Sequence, residues 1–286
     1  MKFLILGCNG MAGHTVTLYL KERGYDVVGF ARNSCEFVKT IAGNAFDGEL
    51  LKQILIDGKY DSVINCVGIL NQYAEQNKSD AVYINAFLPH LLENLTKGTK
   101  TQIIHLSTDC VFSGKSGQYR ENAFRDGETF YDRSKALGEL ENNKDLTIRT
   151  SIIGPDLSER GIGLLNWFMQ QKESVQGYTK AIWTGLTTLQ LAKVIELTSK
   201  KKISGLLNVV PEKSINKYEL LCLAKKYMRA DNIRIEKSDK IVIDKSLIRS
   251  DCVSEFDIPD YETMIIELAK WTKNHRTLYP QYDLNY

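Results

Sequence analysis

The chain has 286 residues, of which 43% are hydrophobic and 25% charged, ordinary globular proportions that suit one large domain or two smaller ones. Lys and Arg number 37 against 35 Asp and Glu, a formal charge of +2, so no broad basic face invites nucleic acid or an anionic membrane surface. The mean hydropathy is −0.26, and no apolar run approaches the roughly 18 residues that cross a bilayer, so disordered, collagen-like and membrane-spanning classes are excluded.

Cys8, Cys35, Cys66, Cys110, Cys222 and Cys252 are scattered, with no CxxC and no His at metal-ligand spacing. That pattern points to a reducing, cytoplasmic setting and to no metal centre. Leu6-Gly7-Cys8 has the outline of a lipoprotein cleavage site, but the apolar run before it, Phe3–Leu6, is far shorter than a signal h-region of about 7–15 residues.

In chain order, the spacing predicts a strand at Phe3–Leu6 and a helix over Ala12–Arg23, with Val16, Tyr19 and Leu20 on one face and Gly24 as its C-cap. Strands follow at Val27–Phe30 and Ser62–Val67, then a helix over Ala81–Lys97 closing before Gly98. Beyond it come a strand at Ile103–Leu106, a helix over Phe130–Asn142, a strand at Leu146–Ile148, a helix over Thr187–Lys202 and a strand at Leu206–Val210. The strand runs are continuously apolar rather than alternating, as strands buried on both faces should be. Strand–helix–strand alternation of this kind predicts an α/β fold with a doubly wound parallel sheet. The pattern is clean to Thr150 and irregular afterwards. Residues 1–150 are therefore expected to form a nucleotide-binding domain and residues 151–286 mainly a smaller α/β lobe, with helix 187–202 packing back on the first. His14, His90 and His105 fall within helix or strand patterns and read as structural, and His275 has no evident role.

Gly7-Cys8-Asn9-Gly10-Met11-Ala12-Gly13 directly follows the first predicted strand and opens the first helix. Glycines there let backbone N–H groups approach a pyrophosphate at the positive end of a helix. The second strand ends Val28-Gly29-Phe30-Ala31-Arg32-Asn33 with no acid for the ribose hydroxyls of NAD. Arg32 could instead pair with a 2′-phosphate, which favours NADPH over NADH.

Tyr131 and Lys135 stand at i and i+4, on one face of a predicted helix. A free Tyr has a pKa of about 10. An ammonium one turn away, with an oxidised nicotinamide nearby, is expected to favour the tyrosinate and lower that value. The pair follows Ser107-Thr108-Asp109 at a strand end, where a hydroxyl could orient a substrate carbonyl beside the Tyr.

These residues, together with Asn65-Cys66-Val67-Gly68, Asn85, Ser107 to Gly114 and Arg149-Thr150-Ser151, carry a family resemblance from Lys2 to Arg249. The chain resembles the extended short-chain dehydrogenase/reductases, and among them the dTDP-4-dehydrorhamnose reductases and related nucleotide-sugar 4-ketoreductases. The resemblance implies a Rossmann fold, NADPH as cofactor, a nucleotide-sugar substrate and an assembly that in the family is often a homodimer. It implies Gly7, Asn9, Gly10 and Met11 at the pyrophosphate, Arg32 and Asn33 at the second strand end, and Cys66, Val67 and Gly68 at the riboses. Asn44-Ala45 falls where the family has an Asp followed by an apolar residue at the adenine, which leaves Asp47 as the N-cap of the next helix. Thr108 takes the Ser/Thr role, Tyr131 that of proton donor, and Lys135 is its partner. Asp109, Cys110, Ser151, Lys180, Trp183 and Arg249 are the candidates for substrate contact, with Lys180 as a phosphate ligand in the Gly177–Gly185 loop.

Related 4,6-dehydratases carry Asp-Glu after the Thr, whereas Asp109-Cys110 stands here, so water elimination is disfavoured. The sequence thus reads as a 4-keto-6-deoxy-sugar reductase. A nucleotide-sugar epimerase and a non-catalytic NADP-binding regulatory subunit are the alternatives.

Overall fold

Residues 1–284 are described by a computed structural model. β1 (Lys2–Leu6) leads through the glycine loop into α1 (Met11–Glu22), followed by β2 (Asp26–Ala31), β3 (Thr40–Ala42), α2 (Gly48–Gly58) and β4 (Ser62–Asn65). Next come α3 (Asn71–Gln76), α4 (Lys78–Ala81), which runs through a π turn at Val82–Phe87 into α5 (Leu88–Leu95), β5 (Gln102–Ser107), α6 (Phe130–Leu137) and β6 (Leu146–Arg149). The remainder comprises β7 (Ser151–Ile153), α7 (Leu164–Met169), β8 (Ser174–Tyr178), β9 (Ala181–Trp183), β10 (Gly185–Thr187), α8 (Thr188–Lys201) and β11 (Gly205–Asn208). After them come β12 (Ile215–Asn216), α9 (Lys217–Met228), β13 (Arg234–Ser238), β14 (Ile243–Asp244) and α10 (Tyr261–Asn274).

Seven strands form one sheet in the order β11-β6-β5-β4-β1-β2-β3, with every neighbour parallel. Its central runs, including Leu4, Ile5, Leu6, Val63, Ile64, Ile103 and Ile104, are fully buried, because helices cover both faces. Leu51, Ile54, Leu88 and Leu92 of α2 and α5 pack on one face. Val16 and Leu20 of α1 and Leu191 and Ile195 of α8 pack on the other. The strand order reverses between β1 and β4, and in doubly wound sheets ligands bind at the carboxyl ends of the strands at such a point. No helix among the described residues is long and apolar enough to cross a membrane.

After Thr150 the chain returns to the sheet. α8 lies on α1, where Thr15 Oγ1 donates to Thr188 Oγ1 at 3.1 Å and Glu196 accepts from Tyr19 and Tyr25 at 2.7 and 2.6 Å. β11 adds to the edge beside β6, pairing Asn208 with Arg149. Three small sheets, β7 with β10, β12-β9-β14, and β8 with β13, form the structure beyond it.

Two helices differ from expectation. The stretch predicted as one helix from Ala81 contains the π turn, which turns Asn85 inward as a fully buried residue. The helix predicted to Asn142 ends at Leu137 with Gly138 as its C-cap, and glycine there lets the chain approach the π turn: a Cβ would stand 1.9 Å from the Asn85 carbonyl oxygen.

Just past that contact, Glu139 accepts from Arg149 Nε (2.9 Å) and Nη2 (2.7 Å), from Ser107 Oγ (2.6 Å) and from Arg125 Nε (2.5 Å). Arg149 is fully buried and also reaches Asn208 Oδ1 at 3.3 Å. Burial pushes the Glu139 carboxyl up, but Arg149, Ser107 and Arg125 overcome it and hold the group below its ordinary value. A depressed carboxylate contributes stability above its unfolded pKa and loses it as pH falls through the folded one. Glu139→Gln is accordingly expected to cost about 3–5 kcal/mol at neutral pH and to weaken the loss of stability below pH 4.5. Urea denaturation of both proteins across that range checks this, and parallel acid limbs would refute it. Gly138→Ala should cost about 1–3 kcal/mol by overpacking against Asn85, read as a lower urea midpoint at unchanged m-value.

Candidate active site

The glycine loop is built by backbone demands. Gly7 has φ +79°, which L side chains avoid, and its N–H donates to the Phe30 carbonyl at 2.8 Å. A Cβ on Gly13 would lie 2.0 Å from the Gly7 carbonyl oxygen, so only glycine allows this approach of α1 to the loop. Asn9 Nδ2 donates to the carbonyls of Asn33 (3.0 Å) and Ser34 (3.3 Å), tying the loop to the end of β2. Met11 begins α1 with its thioether toward Gly163, leaving its backbone in the first turn, where amides lack intrahelical partners.

A cavity of about 490 Å³ opens over this loop. It is lined by Gly7, Asn9, Gly10, Arg32, Asn33, Asn44, Ala45, Cys66, Val67 and Gly68, all expected from the sequence, and by Phe46, Ile69, Asp80 and Ile84, which were not. Arg32 is exposed at the end of β2. Asn44 Oδ1 accepts from the Phe46 N–H at 3.2 Å, and Asp47 caps α2 through the Leu50 N–H. Phe46 packs on Tyr83, with ring centres 4.9 Å apart, and forms an apolar rim beside Asn44. Gly10 supplies no side chain and stands just before the first turn of α1, and the exposed Arg32 lines the same cavity. This donor set fits a dinucleotide carrying a phosphate beyond its pyrophosphate.

The second part of the site stands where β5 ends. Thr129 caps α6 and forms a capping box with Asp132, which fixes the start of the helix and so places Tyr131 in its first turn. Thr108 Oγ1 donates to Asp109 Oδ1 at 3.1 Å and accepts from the Cys110 N–H at 3.1 Å. The three candidates Thr108, Tyr131 and Lys135 are all buried.

Burial dominates the electrostatics of Tyr131 and Lys135. Burial pushes the Tyr131 phenol well above its ordinary value, the Cys110 thiol adds to this, and the Thr108 hydroxyl opposes it. Lys135 Nζ donates to the Leu106 carbonyl at 2.7 Å and meets His105 Nε2 at 3.2 Å. Burial brings the amine down to about 8, with Glu139 opposing. His105, read as structural, is thus in contact with the candidate lysine, and its Nδ1 meets Asn65 Nδ2 at 3.1 Å. Asn85 bridges the two halves of the site, accepting from the Ile69 N–H (2.8 Å) and donating to the Ile69 carbonyl (2.8 Å) and to Ser134 Oγ (3.0 Å).

The other candidates divide. Asp109 and Cys110 adjoin Tyr131. Burial raises the Asp109 carboxyl against the pull of Lys217 and Lys245, and burial holds the Cys110 thiol at about 12. Trp183 is buried in β9, with Lys217 Nζ 4.6 Å from its ring centre. Ser151 opens β7 and pairs in register with Gly185. Lys180 stands apart, 57% exposed on the β8–β9 turn and 3.7 Å from Asp239. Arg249 lines a separate cavity of about 610 Å³ with Gln118, Thr184, Glu212 and Ser246. Lys217 and Lys245 carried no spacing signal in the sequence, and only the fold brings their charge to bear on Asp109.

Comparison with known proteins agrees with this geometry. Spore coat polysaccharide biosynthesis protein SpsK of Bacillus subtilis is 31% identical over 156 residues, and the match covers 52% of each chain, so the chain spans about half the length of that relative. Methionine adenosyltransferase 2 subunit beta of Xenopus tropicalis is 26% identical over 246 residues, 77% of this chain and 70% of that one. The structure of dTDP-4-dehydrorhamnose reductase from Bacillus anthracis in complex with NADP superposes with a TM-score of 0.79 at 18% identity, over 95% of this chain and 99% of that one. The family model described as the RmlD substrate binding domain matches residues 1–274, and the chain belongs to that family.

Proposed function

We propose that this protein is a cytoplasmic, NADPH-dependent reductase of a nucleotide-linked 4-keto-6-deoxy sugar, acting in the synthesis of deoxysugars for cell-surface polysaccharide. The observation that carries the reading is that Thr108, just past β5, Tyr131, in the first turn of α6, and Lys135, one turn further along, are all buried, with the Thr108 hydroxyl opposing the rise of the Tyr131 phenol. The solved relative that holds NADP and the polysaccharide-biosynthesis relative support it.

NADPH, when bound, supplies the hydride. Gly7, Gly10 and the first turn of α1 would hold its pyrophosphate, and Arg32 its 2′-phosphate. The residues of the chain manage the proton. A donor must be protonated before the reaction, and burial keeps the Tyr131 phenol so. The Thr108 hydroxyl orients the carbonyl, and the Tyr131 proton passes to its oxygen as the alkoxide develops. The Lys135 amine, held on the Leu106 carbonyl, is the cation available to the tyrosinate left behind. The arrangement favours reduction over dehydration, because a Cys110 thiol raised to about 12 stays protonated and supplies no base. It favours reduction over epimerisation because Arg32, rather than an acid, ends β2. The likeness to a methionine adenosyltransferase beta subunit keeps a regulatory role as the second reading. The intact trio argues against it, since a cofactor-binding partner has no need of a buried phenol beside a threonine.

NADPH oxidation, followed by absorbance with dTDP-, UDP-, GDP- and CDP-linked 4-keto-6-deoxy sugars, should show turnover with at least one of them. Tyr131→Phe should then lower kcat by about 10²–10⁴ while NADPH affinity stays within twofold of wild type, and retained turnover would remove Tyr131 as donor. Tight NADPH binding with no substrate reduced would favour the regulatory reading. Arg32→Asp should weaken NADPH by about tenfold or more without weakening NADH. Equal losses for both cofactors would show that Arg32 does not meet the 2′-phosphate.

A further inference from the structure

The family match ends at Asn274, and the chain beyond it turns back to the start of α1. Two buried tyrosines lie in that segment, Tyr279 and Tyr282, whose rings stack 5.8 Å apart at an interplanar angle of 11°. Each hydroxyl begins a series of hydrogen bonds, and both series lead to the residues that open α1.

The first runs through His14, which is fully buried in α1. Its Nδ1 meets the Gly10 carbonyl at 2.9 Å and its Nε2 meets the Tyr279 hydroxyl at 2.8 Å. A carbonyl only accepts, so Nδ1 carries the proton. Burial lowers the imidazole to about 4, so the ring is neutral and Nε2 accepts. Thr15 Oγ1 stands farther off, at 3.5 Å, and donates to Thr188. Tyr279 is therefore the donor that fixes the tautomer. The imidazole hands this constraint to Gly10, whose own N–H donates to the Gly7 carbonyl at 2.9 Å.

The second runs through Asn166 of α7. The Tyr282 hydroxyl donates to Asn166 Oδ1 at 2.8 Å and accepts from the Asp156 N–H at 2.8 Å. With Oδ1 held, Asn166 Nδ2 donates to the carbonyls of Ser158 (3.3 Å), Glu159 (3.0 Å) and Gly161 (2.7 Å). Gln281 Nε2 donates to the Asp156 carbonyl at 2.7 Å. Segment 156–163 contains no strand or helix, so these side chains supply the order that a backbone ladder would give. Its end lies against the first residue of α1: a Cβ on Gly163 would stand 2.8 Å from Met11 Sδ.

We propose that Tyr279, through His14, and Tyr282, through Asn166, are positioning residues that hold the glycine loop and segment 156–163 in the arrangement that receives the cofactor pyrophosphate. This inference rests on the reading of that loop as the NADPH site. A preformed site binds more tightly because less freedom is lost on binding, so the two tyrosines act on cofactor affinity rather than on proton transfer.

Tyr279→Phe and Tyr282→Phe each keep the ring and remove one hydroxyl. Calorimetric titration of the full chain with NADPH should show each weakened by about three- to tenfold, the worth of one hydrogen bond, and the double variant weakened further. His275→Gln separates positioning from general loosening, because it breaks a tie of 2.6 Å to Glu22 at the far end of α1. Its NADPH affinity should match wild type while its urea midpoint falls. NMR of the imidazole nitrogens should find His14 protonated at Nδ1. With a turned-over sugar nucleotide, the tyrosine defects should fall on KM for NADPH rather than on kcat. Either tyrosine variant binding NADPH as wild type does, or His14 protonated at Nε2, overturns the proposal and leaves the cofactor reading in place. A loss in His275→Gln as large as in the tyrosine variants overturns it too. Wild type that binds no NADPH overturns both readings. Weakened NADPH binding in the tyrosine variants, with no sugar reduced by wild type, upholds the positioning and overturns the reductase instead.

Discussion

The Glu139 carboxylate is the point through which the catalytic half of the molecule is held together. It follows α6 directly and takes hydrogen bonds from β5 through Ser107, from β6 through Arg149 and from the intervening loop through Arg125. Arg149 extends the connection to Asn208 on β11 and lies over the Phe112 ring, 5.0 Å from its centre. A buried pair of this kind is costly to desolvate and strongly destabilising when half of it is removed. It therefore tolerates few alternative arrangements of the strands around it. The parallel register that places Ser107 opposite Arg149, and Arg149 opposite Asn208, is the one in which every charge and amide finds its partner. Thr108 is the residue after Ser107, and Tyr131 begins the helix that Glu139 follows. Their mutual position is a by-product of that satisfied network.

Above it, the site works by withholding water. The same burial that raises the Tyr131 phenol lowers the Lys135 amine to about 8, moving both groups toward their neutral forms. A neutral phenol is the state a proton donor needs, and a lysine near neutrality can gain or lose its proton at little cost. Asp109, enclosed beside Thr108, shares this regime, its carboxyl raised by burial. Asn85 couples the two halves: one side chain holds the Ile69 backbone beside the cofactor cavity and the Ser134 hydroxyl on α6. The π turn supplies the inward aim that this double contact requires.

Much of this was legible in the sequence. Continuous apolar runs such as Phe3–Leu6 and Ile103–Leu106 reflect burial on both faces, and the structure has them at the centre of a parallel sheet. The glycine motif and the end of the second strand were legible because backbone conformation and close approach restrict residue type at single positions. Asp47 was legible as a cap for the same local reason. The i, i+4 spacing of Tyr131 and Lys135 placed both on one face of a helix, and both are buried.

Tertiary structure alone decided what stood opposite those faces. Periodicity continued the helix past Leu137, but it ends there with Gly138 as its C-cap, against the carbonyl of a residue 53 positions earlier, Asn85. Lys135 was expected to act on Tyr131, and the sheet adds partners that the helix spacing did not show, the carbonyl of Leu106 and the ring of His105. Lys180 belonged to a promising loop and proved exposed, while Lys217 and Lys245, without any local signal, bring their charge to bear on Asp109. Local propensity and pattern specify which residues are buried and where the backbone turns, since those depend on near neighbours in the chain. The pairing of buried charges depends on strands and helices far apart in sequence, and so only the assembled sheet could determine it.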